Sequence, residues 1–187
     1  WTEGYADMIQ KGIGGKVVRF HVLANSDSEA DQTLKLAVRD RVLQEYGDLL
    51  ETCTSKEETL AALKNAQQEI SETAEAEVLA QGYTYPVRVS LVREEFPFKK
   101  YGDLIFPAGV YDALRIEIGE AKGKNWWCVL YPQMCYVDAA WGYSTEESHV
   151  RLQNTLTKEE FLVVSAMEQK KVTPKIKCRL VELWSER

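Results

Sequence analysis

An unbroken run of six apolar residues, 126–131, most constrains what this chain can fold into. It follows a polar, glycine-containing turn at residues 121–125 and ends at Pro132. A strand with one exposed face alternates apolar and polar residues, whereas a strand covered on both faces does not. The run therefore predicts a central, doubly covered strand. Trp126 and Trp127 either fill the core or anchor a binding surface, and the large area that aromatic residues bury favours the core.

The remaining strands are predicted from period-two alternation. In residues 16–25, Val18, Phe20, Val22 and Ala24 share one face, with Arg19 and His21 on the other. His21 is interpreted as a half-buried packing residue rather than a catalytic one. Residues 87–91, 113–118 and 126–131 predict an antiparallel meander with the last of them well inside the sheet. Residues 175–183 predict a final strand.

Helices are predicted where capping residues precede apolar positions at helical spacing. Residues 25–28, Asn-Ser-Asp-Ser, begin one helix. Ser55 begins a second with capping-box spacing, which runs to about Ala80 and is closed by Gly82. Two short helices begin near residues 144 and 157. Residues 1–15, which include Gly12, Gly14 and Gly15, predict a flexible, frayed lead-in. The order of elements indicates one α+β domain over residues 16–187, with a mixed, mostly antiparallel sheet covered by helices.

Composition excludes several classes of function. The 187-residue chain has a formal net charge of −6, which argues against nucleic-acid binding. It lacks the run of about 18 apolar residues that a membrane helix needs. It begins at Trp1, so we expect that a preceding piece, an export signal or an anchor, has been removed. Four cysteines without a Cys-x-x-Cys pair and only two histidines predict no metal site.

Catalytic motifs are also missing from the sequence. Glycines 12, 14 and 15 precede a strand and lack the spacing of a phosphate loop, and no Gly-x-Ser-x-Gly occurs. One enzyme can be assembled, a cysteine hydrolase that uses Cys128 or Cys135 with His21 or His149. An apolar strand raises the pKa of a thiol instead of activating it. The sequence therefore predicts no catalytic residue and no cofactor.

Two segments resemble the signatures of a known family. Residues 19–28, Arg-Phe-His-Val-Leu-Ala-Asn-Ser-Asp-Ser, resemble the opening signature of the stage II sporulation protein R family. Residues 123–132, Gly-Lys-Asn-Trp-Trp-Cys-Val-Leu-Tyr-Pro, resemble its second signature, which ends at Cys135. The similarity runs from about Lys16 to Leu183, with Gln133-Met134 as a mild departure.

The resemblance implies an intercellular signal of endospore-forming bacteria. On this basis the protein is exported from the forespore into the intermembrane space. There it activates the membrane-embedded aspartic-type protease of the mother cell, which processes pro-sigma-E. The family carries no catalytic residues to transfer. A cell-wall or peptide hydrolase and a passive intermembrane scaffold remain as alternatives.

A partner-binding surface is predicted on two loops that combine aromatic residues with positive charge on a net-acidic chain. Loops held by a rigid sheet often carry recognition, and aromatic residues often anchor interfaces. Alternatively, Phe96 and Phe98 close the end of the core. The candidate residues are Phe96, Phe98, Lys99, Lys100, Tyr101, Lys122, Lys124 and Trp126.

The cysteines leave two interpretations open. Cys128 and Cys135 are seven residues apart and flank Pro132, which makes a bend between them plausible. In an exported protein they form a disulfide if their Cα atoms come within about 7 Å. Otherwise they are two buried free thiols. Cys53 and Cys178 are expected to be free.

Overall fold

The computed structural model describes residues 2–135 and 146–166. Within these residues the chain forms an α+β domain with a mixed, mostly antiparallel sheet, which confirms the predicted fold class. The helices are α1 (Thr2–Lys16), α2 (Glu29–Glu51), α3 (Lys56–Asn65), α4 (Gln67–Ala80), α5 (Glu146–Thr155) and α6 (Lys158–Ala166). The strands are β1 (Val18–Leu23), β2 (Val87–Phe96), β3 (Lys99–Tyr101), β4 (Leu104–Phe106), β5 (Gly109–Ile118) and β6 (Asn125–Tyr131).

The main sheet has the strand order β2-β5-β1-β6, and β3 and β4 form a separate hairpin. β1 pairs with β5 in parallel and with β6 antiparallel, while β2 pairs with β5 antiparallel. The predicted meander is therefore wrong, because β1 lies between β5 and β6. Residues 119–124 cross the end of β1, and sequence alternation alone does not state which strands become neighbours.

β6 is consequently an end strand of the sheet in the described part of the chain, not an inner one. The prediction that it is covered on both faces holds for its second half, since Cys128, Val129 and Leu130 are each at most 4% exposed. Trp126 and Trp127, in its first half, are half-buried. The predicted strand at residues 175–183 lies outside the described residues.

Two cores cover the two faces of the sheet. On the face that we call the helical face, α2, α3 and α4 pack on alternate strand residues such as Phe20, Ile116 and Leu130. On the opposite face, the hairpin face, α1, α6 and the β3–β4 hairpin enclose a second core that includes Phe106 and Tyr111. The sheet is therefore the middle of three layers.

Side-chain caps explain where α2 and α3 begin. Ser28 and Ser55 each accept a hydrogen bond from the backbone N–H three residues on, as the sequence predicts. The predicted long second helix is broken at Ala66, which separates α3 from α4. Where a frayed lead-in is predicted, residues 2–16 form α1, and Ile13 of this helix is fully buried in the hairpin-face core.

Candidate partner-binding surface

The predicted recognition loop that follows β2 divides into buried and exposed side chains. Phe96 is 2% exposed, and its ring lies 4.9 Å from that of Trp127 and 5.2 Å from that of His21, between ring centroids. It closes the core, as the alternative interpretation predicts. Phe98, two residues later, is 50% exposed. A partner can therefore contact Phe98 directly, whereas Phe96 only supports the loop from below.

One cation of this loop, Lys99, lies over the hairpin face. The Lys99 ammonium lies 5.1 Å from the centre of the Trp127 ring, a cation–π distance. Burial, together with the charge of Arg19, lowers the pKa of Lys99. Lys100 is exposed, and Tyr101 is half-buried with its hydroxyl accepting a hydrogen bond of 2.8 Å from Arg19. Lys100 and Phe98 are thus the accessible part of the loop.

Arg19 anchors the loop from below. It is fully buried, and its guanidinium carbon lies 4.9 to 5.7 Å from the centres of four aromatic rings. Its Nε donates to the Cys128 carbonyl at 3.3 Å. These rings, which belong to Phe96, Tyr101, Phe106 and Tyr111, hold a buried cation by cation–π contact. The sequence predicts Arg19 on this face, but it gives no sign that aromatic residues from four other strands surround it.

His21 continues the same polar row. It is 3% exposed, so it is more buried than the sequence indicates, and its ring stacks on Trp127 at 4.8 Å. Its Nε2 lies 2.6 Å from Glu94 Oε1, while Glu94 Oε2 accepts a hydrogen bond from Arg115 at 3.1 Å. Burial first, then the charges of Arg115 and Arg19, lower the His21 pKa to about 3. His21 is therefore neutral at physiological pH.

The second predicted loop is held to the end of β1 by a hydrogen-bonded junction. The Asn25 side-chain oxygen accepts from the Glu120 N–H at 2.9 Å, and Asp27 accepts from the Lys124 N–H at 2.7 Å. A Cβ on Gly123 would overlap the backbone carbonyl of Ser26, so this close approach requires glycine. The junction joins the two segments that carry the family resemblance.

Asp31 completes the junction from the first turn of α2. Its carboxylate accepts hydrogen bonds from the Ser26 hydroxyl at 2.5 Å and the Asn25 amide at 2.9 Å. The Ser26 bond first, then the Asn25 bond, lower the Asp31 pKa. From the next turn, Lys35 donates to the Lys124 carbonyl at 2.9 Å. The polar residues of this segment thus shape the loop as well as cap the helix.

Lys122, Lys124 and Trp126 lie at the opposite end of the sheet from the first loop. Lys122 and Lys124 are exposed, and Trp126 is half-buried on the helical face with the Arg39 guanidinium 4.8 Å from its ring centre. Phe96, at the start of the first loop, pairs with Gly109 at one end of β5. Asn125, at the end of the second loop, pairs with Leu23, which in turn pairs with Glu117 near the other end of β5. Eight residues of strand span roughly 26 Å. The eight predicted residues therefore form two separate groups.

Cys128 and Cys135 form a disulfide in the structure, with their Cα atoms 5.6 Å apart. Both cysteines are buried, beside the helical-face core. Cys53 is a free, half-buried cysteine, and Cys178 lies outside the described residues. In residues 2–135 and 146–166, no group of histidine, cysteine and acidic side chains could hold a metal ion. No helix in the same residues is long and apolar enough to span a bilayer.

Comparison with known proteins identifies the family. The family model described as stage II sporulation protein R matches residues 14–141. The chain belongs to the stage II sporulation protein R family. It is 32% identical over 184 residues to stage II sporulation protein R of Bacillus subtilis (strain 168). The aligned residues cover 93% of this chain and 82% of that protein. No solved structure matches.

The residues that the stage II sporulation protein R family model matches contain the sheet, its junction and the helices α2, α3 and α4. They begin near the end of α1, include every strand described above and both segments of the junction, and end before α5. The buried Arg19–His21 row and the junction thus both lie in the part of the chain that the family defines.

Proposed function

We propose that this protein is a non-enzymatic sporulation signalling protein that is exported from the forespore into the intermembrane space. There it activates the membrane-embedded aspartic-type protease of the mother cell, which processes pro-sigma-E. Family membership is the observation that carries the proposal. A signal that acts by contact needs a rigid body with accessible loops, and the junction and the Arg19 row supply the rigidity here.

The contact with the protease is proposed at the two loop groups. Phe98 with Lys99 and Lys100 forms one group, and Lys122 with Lys124 forms the other. Phe98 is half-exposed beside cations on a net-acidic chain, which suits a partner with an apolar pocket and acidic rim. The groups lie at opposite ends of the sheet, so a compact partner domain contacts one of them.

The cysteine hydrolase alternative is disfavoured by the arrangement of its members. Cys128 and Cys135 are bonded to each other, which leaves neither as a thiolate nucleophile. Phe20 is level with Cys128 on the helical face, while His21 points to the hairpin face. His149 lies 3.0 Å from Asp103 and faces Phe161.

Reconstitution in a non-sporulating host tests the proposed activation. The exported chain is co-expressed with the protease and the sigma precursor, and precursor cleavage is followed by immunoblot. Cleavage that requires both this chain and an active-site aspartate of the protease supports activation. Binding to the protease without any increase in cleavage would identify a passive scaffold instead. Release of fragments from purified peptidoglycan, sensitive to thiol alkylation, would identify a hydrolase.

Charge reversal in the same assay identifies which loop group contacts the protease. Lys99→Glu with Lys100→Glu changes one group, and Lys122→Glu with Lys124→Glu changes the other. Arg41→Glu, an exposed cation on α2 outside both groups, is the matched control. We expect one pair to reduce cleavage by about tenfold or more, as loss of a charged interface contact does. If both pairs leave folding and activation intact, the contact lies elsewhere.

A further inference from the structure

Within residues 2–135 and 146–166, the outer edge of β2 presents backbone groups that no other strand pairs with. The Gly119 N–H donates to the Pro86 carbonyl at 2.9 Å, which marks residues 86 and 119 as a hydrogen-bonded pair. In an antiparallel ladder such pairs alternate with pairs whose backbone groups point away. The even-numbered residues of β2 therefore bond to β5, while Val87, Val89, Leu91, Arg93 and Glu95 direct their N–H and C=O groups outward.

One half of this edge is covered and the other is open. The Gln67 side chain at the start of α4 donates to the Val89 carbonyl at 3.0 Å, which both confirms the outward direction and satisfies that group. No residue in the described part of the chain pairs with the outward groups of Leu91, Arg93 and Glu95. An open edge of this kind is a template for another strand.

A groove runs beside the open half. It has a volume of about 380 Å³ and lies between α3 and β2, lined by Leu60, Ala61, Lys64, Leu91, Val92, Arg93 and Asp112. The floor is apolar, and its only acid, Asp112, is neutralised by Lys56 at 2.6 Å and Arg93 at 2.9 Å. Lys64 is exposed, and Arg93 is 61% exposed on its side chain. The groove is therefore positively charged on a chain with net charge −6.

We propose that the outer edge of β2 from Leu91 to Glu95 binds an extended, acidic peptide segment of a partner protein by strand addition. The backbone of the segment pairs with the outward groups of Leu91, Arg93 and Glu95. One apolar side chain enters the groove between Leu60 and Leu91, and flanking carboxylates meet Lys64 and Arg93.

The positive charge of the groove favours an acidic partner segment over a strand from this protein itself. A second copy that pairs edge to edge with Arg93 opposite Arg93 sets like charges against each other, which opposes that register. The register that sets Arg93 opposite Glu95 still brings the Lys64 cations of both copies to one groove without an unpaired acid among its lining residues to pair with them. The chain's own residues 175–183 carry Lys175, Lys177 and Arg179, which makes them basic as well. A segment rich in aspartate and glutamate has the complementary charge.

This surface differs from the two loop groups proposed above to contact the protease, and its test requires neither the protease nor export. A failure of strand addition therefore leaves the proposed activation intact. Conversely, a chain that fails to activate the protease can still bind an acidic strand at β2.

Selection from a library of random heptapeptides displayed on phage tests the inference directly. The full chain is immobilised, and selected peptides are resynthesised and titrated by fluorescence anisotropy. We expect net-acidic peptides that contain an apolar residue to be enriched. Hydrogen exchange of the complex should slow at the amides of Leu91, Arg93 and Glu95. Slowing only elsewhere, or enrichment of basic peptides, overturns the proposal, as does the absence of any enriched peptide.

Matched variants separate charge from backbone pairing. Lys64→Glu should weaken binding by about tenfold or more, while Arg88→Glu, on β2 but on the opposite face of the sheet from Arg93, should not. Arg93→Pro should bind about tenfold more weakly than Arg93→Ala, the loss expected for one missing hydrogen bond. Proline at this edge removes no bond to β5, so both variants should fold, as circular dichroism will report. Equal binding by both Arg93 variants contradicts strand addition. Concentration-dependent dimerisation that Arg93→Pro abolishes would assign the edge to a second copy instead.

Discussion

The two faces of β1 are buried to nearly the same degree by different chemistry. On the helical face, β1 contributes Val18, Phe20 and Val22, all fully buried among other apolar side chains. On the hairpin face the same strand contributes Arg19, which is fully buried, and His21, which is 3% exposed. A single alternating strand thus builds an apolar core on one side and an aromatic core containing a cation on the other.

The two faces contribute differently to stability and to the register of β1. Apolar packing stabilises by the area that it removes from water and tolerates substitutions that keep volume. A buried arginine contributes little net stability, but it requires its partners in place. A one-residue slip of β1 would move Arg19 into the apolar core of the helical face, among residues such as Leu114. The hairpin face therefore fixes the register of β1, while the helical face supplies most of the stability.

The largest expected loss of stability comes from truncating a buried side chain on the helical face. Phe20→Ala removes a fully buried ring that makes an edge contact with Trp126 at 5.6 Å. Truncations of this kind cost about 3–5 kcal/mol. Denaturant unfolding followed by circular dichroism measures the loss, with the exposed Phe98→Ala as a control that should change stability by less than about 1 kcal/mol. A loss below about 1 kcal/mol for Phe20→Ala would show that this face is not the main source of stability.

Substitutions of Arg19 test how much the hairpin face contributes to stability. Arg19→Ala leaves a cavity and an unpaired Tyr101 hydroxyl, and we expect a loss of about 3 kcal/mol. Arg19→Met keeps most of the volume and removes a charge that no carboxylate in the described residues neutralises, so it should cost about 1 kcal/mol or less. Unfolding curves of both variants measure the comparison.

A second measurement on the Arg19→Met protein tests whether Arg19 fixes the register of β1. If Arg19 fixes register, the Arg19→Met protein should bind a hydrophobic dye more strongly or show broadened amide resonances in β1 while its stability is nearly unchanged. Sharp resonances that match the wild type would show that the apolar face alone sets the register. Equal losses for both substitutions would show that the charge itself is stabilising.

Local features of this fold follow from the sequence because their causes are local. The helix caps at Ser28 and Ser55 and the alternation of β1 each depend on a few neighbouring residues. The apolar run 126–131 likewise predicts burial on both faces, and the second half of β6 shows it. These features suffice for the fold class.

Features that depend on residues distant in the sequence cannot be predicted from local sequence patterns. The order of the strands depends on the junction between residues 25–28 and 119–124, which period-two patterns do not contain. The glycines of α1 are typical of a loop and so hide the helix in the sequence, yet a Cβ on Gly14 would overlap the Val110 carbonyl of β5. Close packing rather than flexibility accounts for that glycine. Phe96 and Phe98 are similarly indistinguishable by sequence, although one is buried and the other exposed.

The pH dependence of stability sharpens the contrast further. His21 has a pKa lowered to about 3 in the folded protein, against about 6.5 in an unfolded chain. The unfolded state therefore binds a proton more readily, and stability is lost as pH falls from about 6.5 towards 3. At pH 4.5 the loss attributable to His21 is about 3 kcal/mol, since each unit below 6.5 contributes about 1.4 kcal/mol.

His21→Phe removes this contribution and preserves the stack on Trp127. The difference in unfolding free energy between wild type and variant should therefore shift in favour of the variant by that amount from pH 7 to pH 4.5. Asp31 also loses stabilising bonds in acid, because its pKa is lowered, but it does so in both proteins. Parallel stability curves for the two proteins would mean that Glu94 supports the charged imidazole and that His21 titrates normally.

The smallest of these effects concerns the disulfide bond at the helical face. The bond between Cys128 and Cys135 closes a short loop, so it removes little entropy from the unfolded chain and contributes about 2 kcal/mol. Cys135→Ser should be less stable than the oxidised wild type by that amount. It should differ much less in stability from the reduced wild type, which also lacks the bond. Mass spectrometry of the non-reduced, alkylated protein decides whether the bond is present. Alkyl groups on Cys128 and Cys135 would mean that they are two buried thiols, and the helical face would then be held by packing alone.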